Sequence, residues 1–248
     1  MIFATMLAMG LILGFAGTGG SGFIIGLLVA VFAVPIHTAL GTSIAAMALT
    51  TLSGSISHWK EGNASLRTGA FIGVFGAVGA YGGTYIAREL ESQSLIWLTS
   101  SMLFLSGLLI WIRTRMKTIH TEKEKEMEPK KFWLSACGTG LITGALSGVF
   151  GIGSTPFIQL ALLIFFGFPL RRAVGTTMLV ILPIAAFGSL GFWQAGFLDG
   201  KLLLQVVAGT IIGSYIGAKF TKRAPQFILR TAMIMTPITG AILMLVKI

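Results

Sequence analysis

Two glycine-rich stretches combine flexible backbone and hydroxyls in a way that suits the binding of an anion. They are Gly17-Thr18-Gly19-Gly20-Ser21 and Gly151-Ile152-Gly153-Ser154-Thr155, and each interrupts a long apolar segment. Glycine permits positive φ and close backbone approach at such a tip. The helices that restart at Gly22 and Pro156 would direct free N–H groups and positive dipole ends at the same point. These residue types predict an anion site built from neutral donors.

The composition of the chain indicates where these breaks lie. Its 248 residues are 54% hydrophobic and 10% charged, with a mean hydropathy of +0.88. This is too apolar for a soluble domain, and the long apolar runs lack the alternation of barrel strands. The sequence therefore predicts an all-α integral membrane protein. Non-helical backbone in a bilayer is tolerated only where it is buried in protein or lines a wet cavity, so each break is predicted to mark a cavity.

The elements that would position the breaks form two sets of five apolar segments with the same order of lengths. The first set is 2–16, 22–34, 39–58, 68–88 and 94–112, and the second is 132–150, 155–168, 173–193, 201–218 and 226–247. In each set the first two segments are short and meet at a glycine break. That pattern is typical of discontinuous helices at the midplane of a transporter.

An internal repeat relates the two sets. Gly41-Thr42-Ser43 and Gly175-Thr176-Thr177 lie 134 positions apart (175 − 41), and this single offset gives 18 identities over the 75 positions from 14 to 88. Composition alone would give roughly 6 or 7 identities. We therefore divide the chain into a first transmembrane repeat at 1–112, a charged linker at 113–131 and a second transmembrane repeat at 132–248.

The distribution of Lys and Arg predicts that the repeats are inverted. The loop 35–38 has neither residue, whereas its counterpart carries Arg171 and Arg172. Because cytoplasmic loops carry the excess of positive charge, corresponding loops are expected on opposite sides of the cell membrane. The linker is then cytoplasmic and both termini lie outside. Each repeat has a glycine-broken pair of short helices, which either span the membrane or re-enter on the same side, followed by three transmembrane helices.

The two breaks belong to a larger pattern that resembles a known family. Each break is followed by Phe-Ile, at Phe23 and Phe157, and then by the Gly-Thr pair that opens the next helix, in two halves around a charged centre. This resembles the TauE/SafE family of sulfite and organosulfonate transporters. The resemblance implies a permease for small sulfur-containing anions whose path is lined by both tips and both Gly-Thr helix starts. The matching residues are Gly17, Gly19, Ser21, Thr42, Ser43, Gly151, Gly153, Thr155, Thr176 and Thr177.

The halves also differ, so the site is not expected to be symmetric. Gln159 replaces Ile25 close to the second break, and we include its side chain among the candidate substrate contacts. The equivalent third helices end in His58-Trp59 and Trp193-Gln194. These four residues are either a gate or cavity wall, or an interfacial anchor followed by loop residues.

The predicted function is alternating-access transport of a small sulfur-containing anion. All eight Asp and Glu residues fall in loops or the linker, which argues against coupling through a buried acid. Export of an anion gains roughly 2.3 kcal/mol per charge per 100 mV, so a uniporter is the simplest mechanism, although His-mediated proton coupling stays open. The alternatives are an anion channel of the same fold or a membrane-embedded enzyme. We expect no catalytic residue, metal, cofactor or nucleic acid partner. The sequence specifies neither the anion nor the oligomeric state.

Overall fold

The protein is all-helical in its described part. The computed structural model describes residues 1–16, 21–60, 62–115, 128–221 and 226–246. These residues form ten α-helices and no strand. The helices are α1 (Ile2–Ala16), α2 (Ser21–Ala30), α3 (Ile36–Lys60), α4 (Leu66–Glu89), α5 (Ser92–Arg115), α6 (Pro129–Phe150), α7 (Thr155–Ile164), α8 (Leu170–Gln194), α9 (Gly200–Thr221) and α10 (Gln226–Leu245).

The helix bounds follow the internal repeat. Each bound of α2 and α3 lies 134 positions (155 − 21; 170 − 36) before the matching bound of α7 and α8. Helices α1 and α6 end at Ala16 and Phe150, which have the same separation. The ten predicted segments therefore correspond one to one with the ten helices. The helices on both sides extend a few residues into the predicted linker, since α5 runs to Arg115 and α6 begins at Pro129.

Two predicted segments are shorter than the sequence suggests. Helices α2 and α7 end about one turn early, before left-handed residues at Ala33 (φ 54°) and Gly167 (φ 65°). The N–H of the next residue then donates back to the helix, at 3.0 Å to Leu28 O in the first half and 3.1 Å to Leu162 O in the second. Hydropathy could not predict these ends, because the residues of the turn are themselves apolar.

The two halves pack by an exchange of helix contacts, in which the first helix of each half lies against the fourth helix of the other. Helix α1 packs along α9 of the second half, and α6 packs along α4 of the first. The equivalent helices α3 and α8 lie side by side in the centre and run antiparallel. Ile44, near the start of α3, meets Gly188, near the end of α8. A Cβ at Gly41 would lie 3.0 Å from Phe192 Cβ, and the corresponding one at Gly175 would lie 3.2 Å from His58 Cβ.

Glycine makes the exchanged contacts possible. A Cβ at Gly10 of α1 would lie 2.8 Å from the carbonyl oxygen of Thr210 in α9. At the equivalent Gly144 of α6, a Cβ would overlap the carbonyl oxygen of Gly76 in α4. Backbone atoms cannot move away as the end of a side chain can, so these helix pairs require glycine. The small-residue spacing in the sequence predicts such close packing.

Four of the described helices are long and apolar enough to cross a membrane. They cover Leu66–Glu89, Ser92–Ile112, Pro129–Phe150 and Arg172–Gln194. Large apolar side chains on their outer faces are exposed, among them Val78 (62%) and Leu134 (76%). A soluble protein rarely leaves contiguous apolar surface of this kind uncovered. The helices therefore fit the predicted integral membrane protein.

Candidate functional site

The second glycine break is a tight turn between α6 and α7. Gly151 (φ 64°) closes α6, and its N–H donates to Ser147 O at 2.8 Å. Gly153 (φ 65°) and Ser154 (φ 48°) also have left-handed backbone. Helix α7 then starts at Thr155, with a proline in its first turn. The predicted break in the apolar segment is therefore present in the second half.

Ser154 is the unusual residue in this turn. Its side chain is fully buried, and its Oγ has no hydrogen-bond partner among the described residues. A non-glycine residue in left-handed backbone is uncommon, and an unpaired buried hydroxyl costs free energy. Both features are costly for the folded protein and are found more often where a side chain contacts a ligand.

The start of α2 lies beside the second break. A Cβ at Gly153 would meet the thioether of Met47 and would lie 3.9 Å from Ser21 Oγ. Ser43 Oγ in turn donates to Ser21 O at 2.9 Å. Residues from both halves therefore converge on one region. The remaining predicted residues of the first break, Gly17, Thr18, Gly19 and Gly20, lie outside the described residues.

A small cavity lies where the two short helices begin. Its volume is about 40 Å³, and its described lining residues carry no charge. Equivalent residues line it in pairs: Ser21 with Thr155, Gly22 with Pro156, and Leu103 with Pro237. Ser106 and Thr236 add two further hydroxyls. We call this the axial cavity, because equivalent residues of the two halves line it in pairs.

The electrostatics of the axial cavity follow from its two helix starts. The N-terminus of an α-helix carries roughly half a positive charge and several unpaired N–H groups. Both α2 and α7 begin at this cavity. Its size admits a few waters or one small oxyanion. The arrangement suits an anion held by neutral donors.

The predicted Gly-Thr residues do not all face this site. Thr176 Oγ1 accepts from Ser65 N at 3.0 Å, and Thr177 Oγ1 donates to Ala173 O at 2.7 Å. Thr42 is fully buried, and its Oγ1 has no partner among the described residues. Among these hydroxyls, Ser43 contacts a break directly. Gln159 is buried one helical turn after Thr155.

The four residues at the ends of α3 and α8 have different surroundings. Trp59 and Trp193 are both more than half exposed, at 52% and 63%. Gln194 Oε1 accepts from Tyr81 OH at 2.6 Å. The Nδ1 atom of His58 is buried and has no partner among the described residues. Their role as a gate or cavity wall remains a prediction.

A second, larger cavity contains residues that the sequence did not point to. It has a volume of about 120 Å³ and lies between α3 and α9, beside α2. We call it the hydroxyl cavity. Its lining residues are Ile24, Ser43, Ala46, Met47, Thr50, Thr210 and Ser214. Ser43 is among the predicted site residues, whereas Thr50, Thr210 and Ser214 are not.

Spacing within each helix could have drawn attention to these hydroxyls, although not to the packing of α3 against α9 that brings them together. Ser43 and Thr50 are seven residues apart on α3, and Thr210 and Ser214 are four apart on α9. Both spacings place two hydroxyls on one helical face. A search for repeated residues passes over them because, apart from Ser43, their counterparts in the other half carry no hydroxyl.

Comparison with known proteins places the chain among membrane transporters. The family model described as Sulfite exporter TauE/SafE matches residues 2–244. The probable membrane transporter protein YdhB of Bacillus subtilis is 44% identical over 99% of both chains. A probable membrane transporter protein of Xylella fastidiosa strain 9a5c is 27% identical over 86% of this chain and 81% of its own. No solved structure matches this chain.

Proposed function

Because this chain belongs to the TauE/SafE sulfite exporter family of membrane transporters, we propose that it carries small sulfur-containing anions, such as sulfite or organosulfonates, across the cell membrane. The observation that carries this proposal is the convergence of two helix starts on the axial cavity. Backbone N–H groups and hydroxyls of Ser21, Ser154 and Thr155 would hold the sulfur-bound oxygens. Binding without a buried cation leaves the anion easy to release.

The proposed mechanism is alternating access by two inverted repeats. Its support is the antiparallel packing of α3 and α8, in which Gly41 meets Phe192 and the equivalent Gly175 meets His58. Two equivalent helices that cross a bilayer in opposite directions are related by an axis in the membrane plane. Rocking of such repeats exposes a midplane site first to one side and then to the other.

The proposed orientation places the linker 113–131 in the cytoplasm and both termini outside. The distribution of Lys and Arg among the short loops supports it. Whatever the orientation of the protein, movement of an anion out of a cell that is negative inside gains roughly 2.3 kcal/mol per charge per 100 mV. Outward uniport is therefore the simplest mechanism.

Thermal stabilisation of the purified protein tests the substrate class. The panel contains sulfite, thiosulfate, sulfoacetate, taurine, an arenesulfonate, sulfate and plain carboxylates. An anion present at 100 times its Kd adds about 2.7 kcal/mol to the stability of the folded state, which is readily measured. We expect stabilisation by sulfite or sulfonates and a loss of most of it in Ser21→Ala and Thr155→Val.

Ser101→Ala is the matched control for these variants. Ser101 is exposed on α5, and its Oγ donates to Trp97 O at 2.9 Å. This variant should keep the full response to anions. A response that is equal in all three variants would rule out the axial cavity as the site. A panel without any response would contradict the proposed substrate class.

Flux into liposomes tests the mechanism. An imposed membrane potential should accelerate anion movement toward the positive side if transport is electrogenic uniport. Flux that does not change with the membrane potential but increases with an imposed proton gradient would instead support proton coupling. Flux that saturates with anion concentration at low turnover separates a transporter from a channel.

A further inference from the structure

The hydroxyls of the hydroxyl cavity are mostly not repeated in the other half of the sequence. Four of its lining residues carry hydroxyls: Ser43, Thr50, Thr210 and Ser214. The residues at the corresponding positions, 134 away, are Thr177, Ile184, Gly76 and Ala80. Helices α4 and α8, which pack against each other, therefore carry a hydroxyl at only one of these four positions.

The corresponding region is also filled. Ile184 is fully buried, and its Cδ1 and Cγ1 would each lie 2.6 Å from a Cβ built at Gly76. Ala80, Val180 and Ile181 around it are fully buried too. In the first half, Thr50 occupies the position of Ile184 and is only partly buried. One side of the molecule therefore has a cavity with hydroxyl-bearing residues in its wall, where the other side has packed apolar atoms.

We propose that the hydroxyl cavity is the compartment through which the anion reaches the axial cavity, and that Ile184 closes the corresponding route on the opposite side. This inference rests on the proposed function. In it, Thr50, Thr210 and Ser214 are substrate contacts along the path, and Ile184 is a gate that must leave Gly76 before the second route opens.

The two cavities are adjacent. Ser43 lines the hydroxyl cavity and donates to Ser21 O, while Ser21 lines the axial cavity. Met47 also lines the hydroxyl cavity, and its thioether packs where a Cβ at Gly153 would lie. The hydrogen-bonded pair of Ser21 and Ser43 and the flexible side chain of Met47 therefore separate the two cavities. Met is unbranched and adapts its shape readily, so a small shift suffices to join them.

The hydroxyls of Thr50, Thr210 and Ser214 can donate a hydrogen bond to an anion, although in the structure each one donates to a carbonyl oxygen of its own helix. Thr50 Oγ1 donates to Met47 O at 3.1 Å, Thr210 Oγ1 to Val206 O at 2.7 Å and Ser214 Oγ to Ile211 O at 3.1 Å. A carbonyl has two lone pairs and in a helix interior also accepts from the backbone. When a hydroxyl rotates toward an anion, this carbonyl keeps its backbone partner. The exchange therefore leaves no buried group unpaired.

Cysteine accessibility tests the proposal, because the chain has a single native cysteine. In a Cys137→Ser background, Thr50→Cys is compared with Ile184→Cys, which has the equivalent position in the other half. Both variants are purified in detergent micelles, where the two faces of the protein are equally accessible, and treated with a small cationic thiol reagent, with and without methanesulfonate. We expect Thr50→Cys to react at least 10-fold faster and to be slowed by methanesulfonate. Ser214→Cys against Ala80→Cys is the second pair.

Each outcome decides the proposal. Equal rates in both pairs, or faster reaction in the second half, would overturn it, and so would labelling of Thr50→Cys that methanesulfonate does not slow. The anion-stabilisation panel separates these failures from failure of the proposed function, because a response that is lost in Ser21→Ala and Thr155→Val shows binding at the axial cavity. A positive panel with unprotected Thr50→Cys would mean that the anion takes another route.

A filling substitution gives an independent measurement. Thr50→Ile reproduces in the first half the residue that packs against Gly76 in the second. We expect this variant to lose at least 10-fold in anion flux into liposomes while its melting temperature without anion stays close to that of the unmodified protein. Unchanged flux would overturn the assignment of the hydroxyl cavity as the path.

Discussion

The two halves share their helices but not their chemistry. Helices α3 and α8 begin and end at equivalent positions, and each is followed by a glycine with positive φ, Gly62 at 70° and Gly196 at 76°. Yet Thr50 lines a cavity where the equivalent Ile184 is packed against Gly76. The repeated residues thus determine the frame of the molecule. The residues that do not repeat determine which side has a cavity with hydroxyl-bearing residues in its wall.

The largest effect is expected at the helix contacts between the halves, α6 on α4 and α1 on α9. A Cβ at Gly144 would overlap Gly76 O, whereas the equivalent Cβ at Gly10 would lie 2.8 Å from Thr210 O. We expect Gly144→Ala to lower the free energy of unfolding by about 3 kcal/mol and Gly10→Ala by about 1 kcal/mol, because overpacking costs typically 1–3 kcal/mol. SDS-induced unfolding in mixed micelles measures both.

Gly138→Ala is the control for this pair. Gly138 is also in α6, but a Cβ there would have no neighbour within 4 Å. This variant should keep or slightly raise stability, since alanine favours a helix by up to about 1 kcal/mol over glycine. Equal losses at Gly138 and Gly144 would show that the contact with α4 does not decide the outcome, since helix propensity favours alanine at both positions.

The second break should be sensitive both to backbone strain and to its neighbour. Gly153 has φ 65°, and a Cβ there would overlap the thioether of Met47. We expect Gly153→Ala to lower the free energy of unfolding by about 2 kcal/mol, within the range for strained backbone. Gly196→Ala, with φ 76° and no atom within 4 Å of its Cβ, should lose only about 1 kcal/mol. Equal losses would mean that the Met47 contact contributes nothing.

Ser154→Gly should separate stability from anion binding. The second half has Ser154 at φ 48° where the first half has Gly20 in its sequence. Glycine removes the unpaired hydroxyl and adopts the left-handed backbone without strain, so the variant should raise the melting temperature of the unliganded protein. It should also weaken anion binding about 10-fold, because a hydrogen bond to a charged group contributes about 1.5–3 kcal/mol. Unchanged anion affinity with a raised melting temperature would exclude Ser154 from the site.

The smallest expected effect concerns the turns after α2 and α7. Ala33 has φ 54° where the second half has Gly167 at 65°. Ala33→Gly should stabilise the protein by about 1 kcal/mol, and Gly167→Ala should destabilise it by a similar amount. Neither should alter the anion response. A loss of stability in Ala33→Gly would show that packing of the Ala33 methyl outweighs its backbone strain.

Much of the fold could be predicted because local signals repeat. Hydropathy and glycine breaks predicted ten segments, and a single offset between Gly41 and Gly175 predicted the helix correspondence that the structure has. The second break was predicted from the same signals. Its flexible backbone at Gly151 and Gly153 is a local property, so it can be seen in the sequence without knowledge of the packing.

The hydroxyl cavity could not be predicted, because it depends on packing between distant helices. Thr50 and Thr210 are separated by 160 positions (210 − 50). Nothing in either helix indicates that they face each other. The side chain that fills the corresponding region, Ile184, is also an ordinary apolar residue within a membrane helix. Only its position opposite Gly76 marks Ile184 as the proposed gate.

The exchange of helices between the halves has a consequence for biosynthesis. Helix α1 ends at residue 16, but its partner α9 begins only at residue 200. At a synthesis rate of about 5–20 residues per second, the ribosome takes roughly 10 to 40 s to produce the chain between them. During that interval the glycine-lined face of α1 must be covered by lipid or by an insertase. A nascent chain that stalls in the linker would leave the membrane with α1 and α4 unpaired, as a substrate for quality-control proteases.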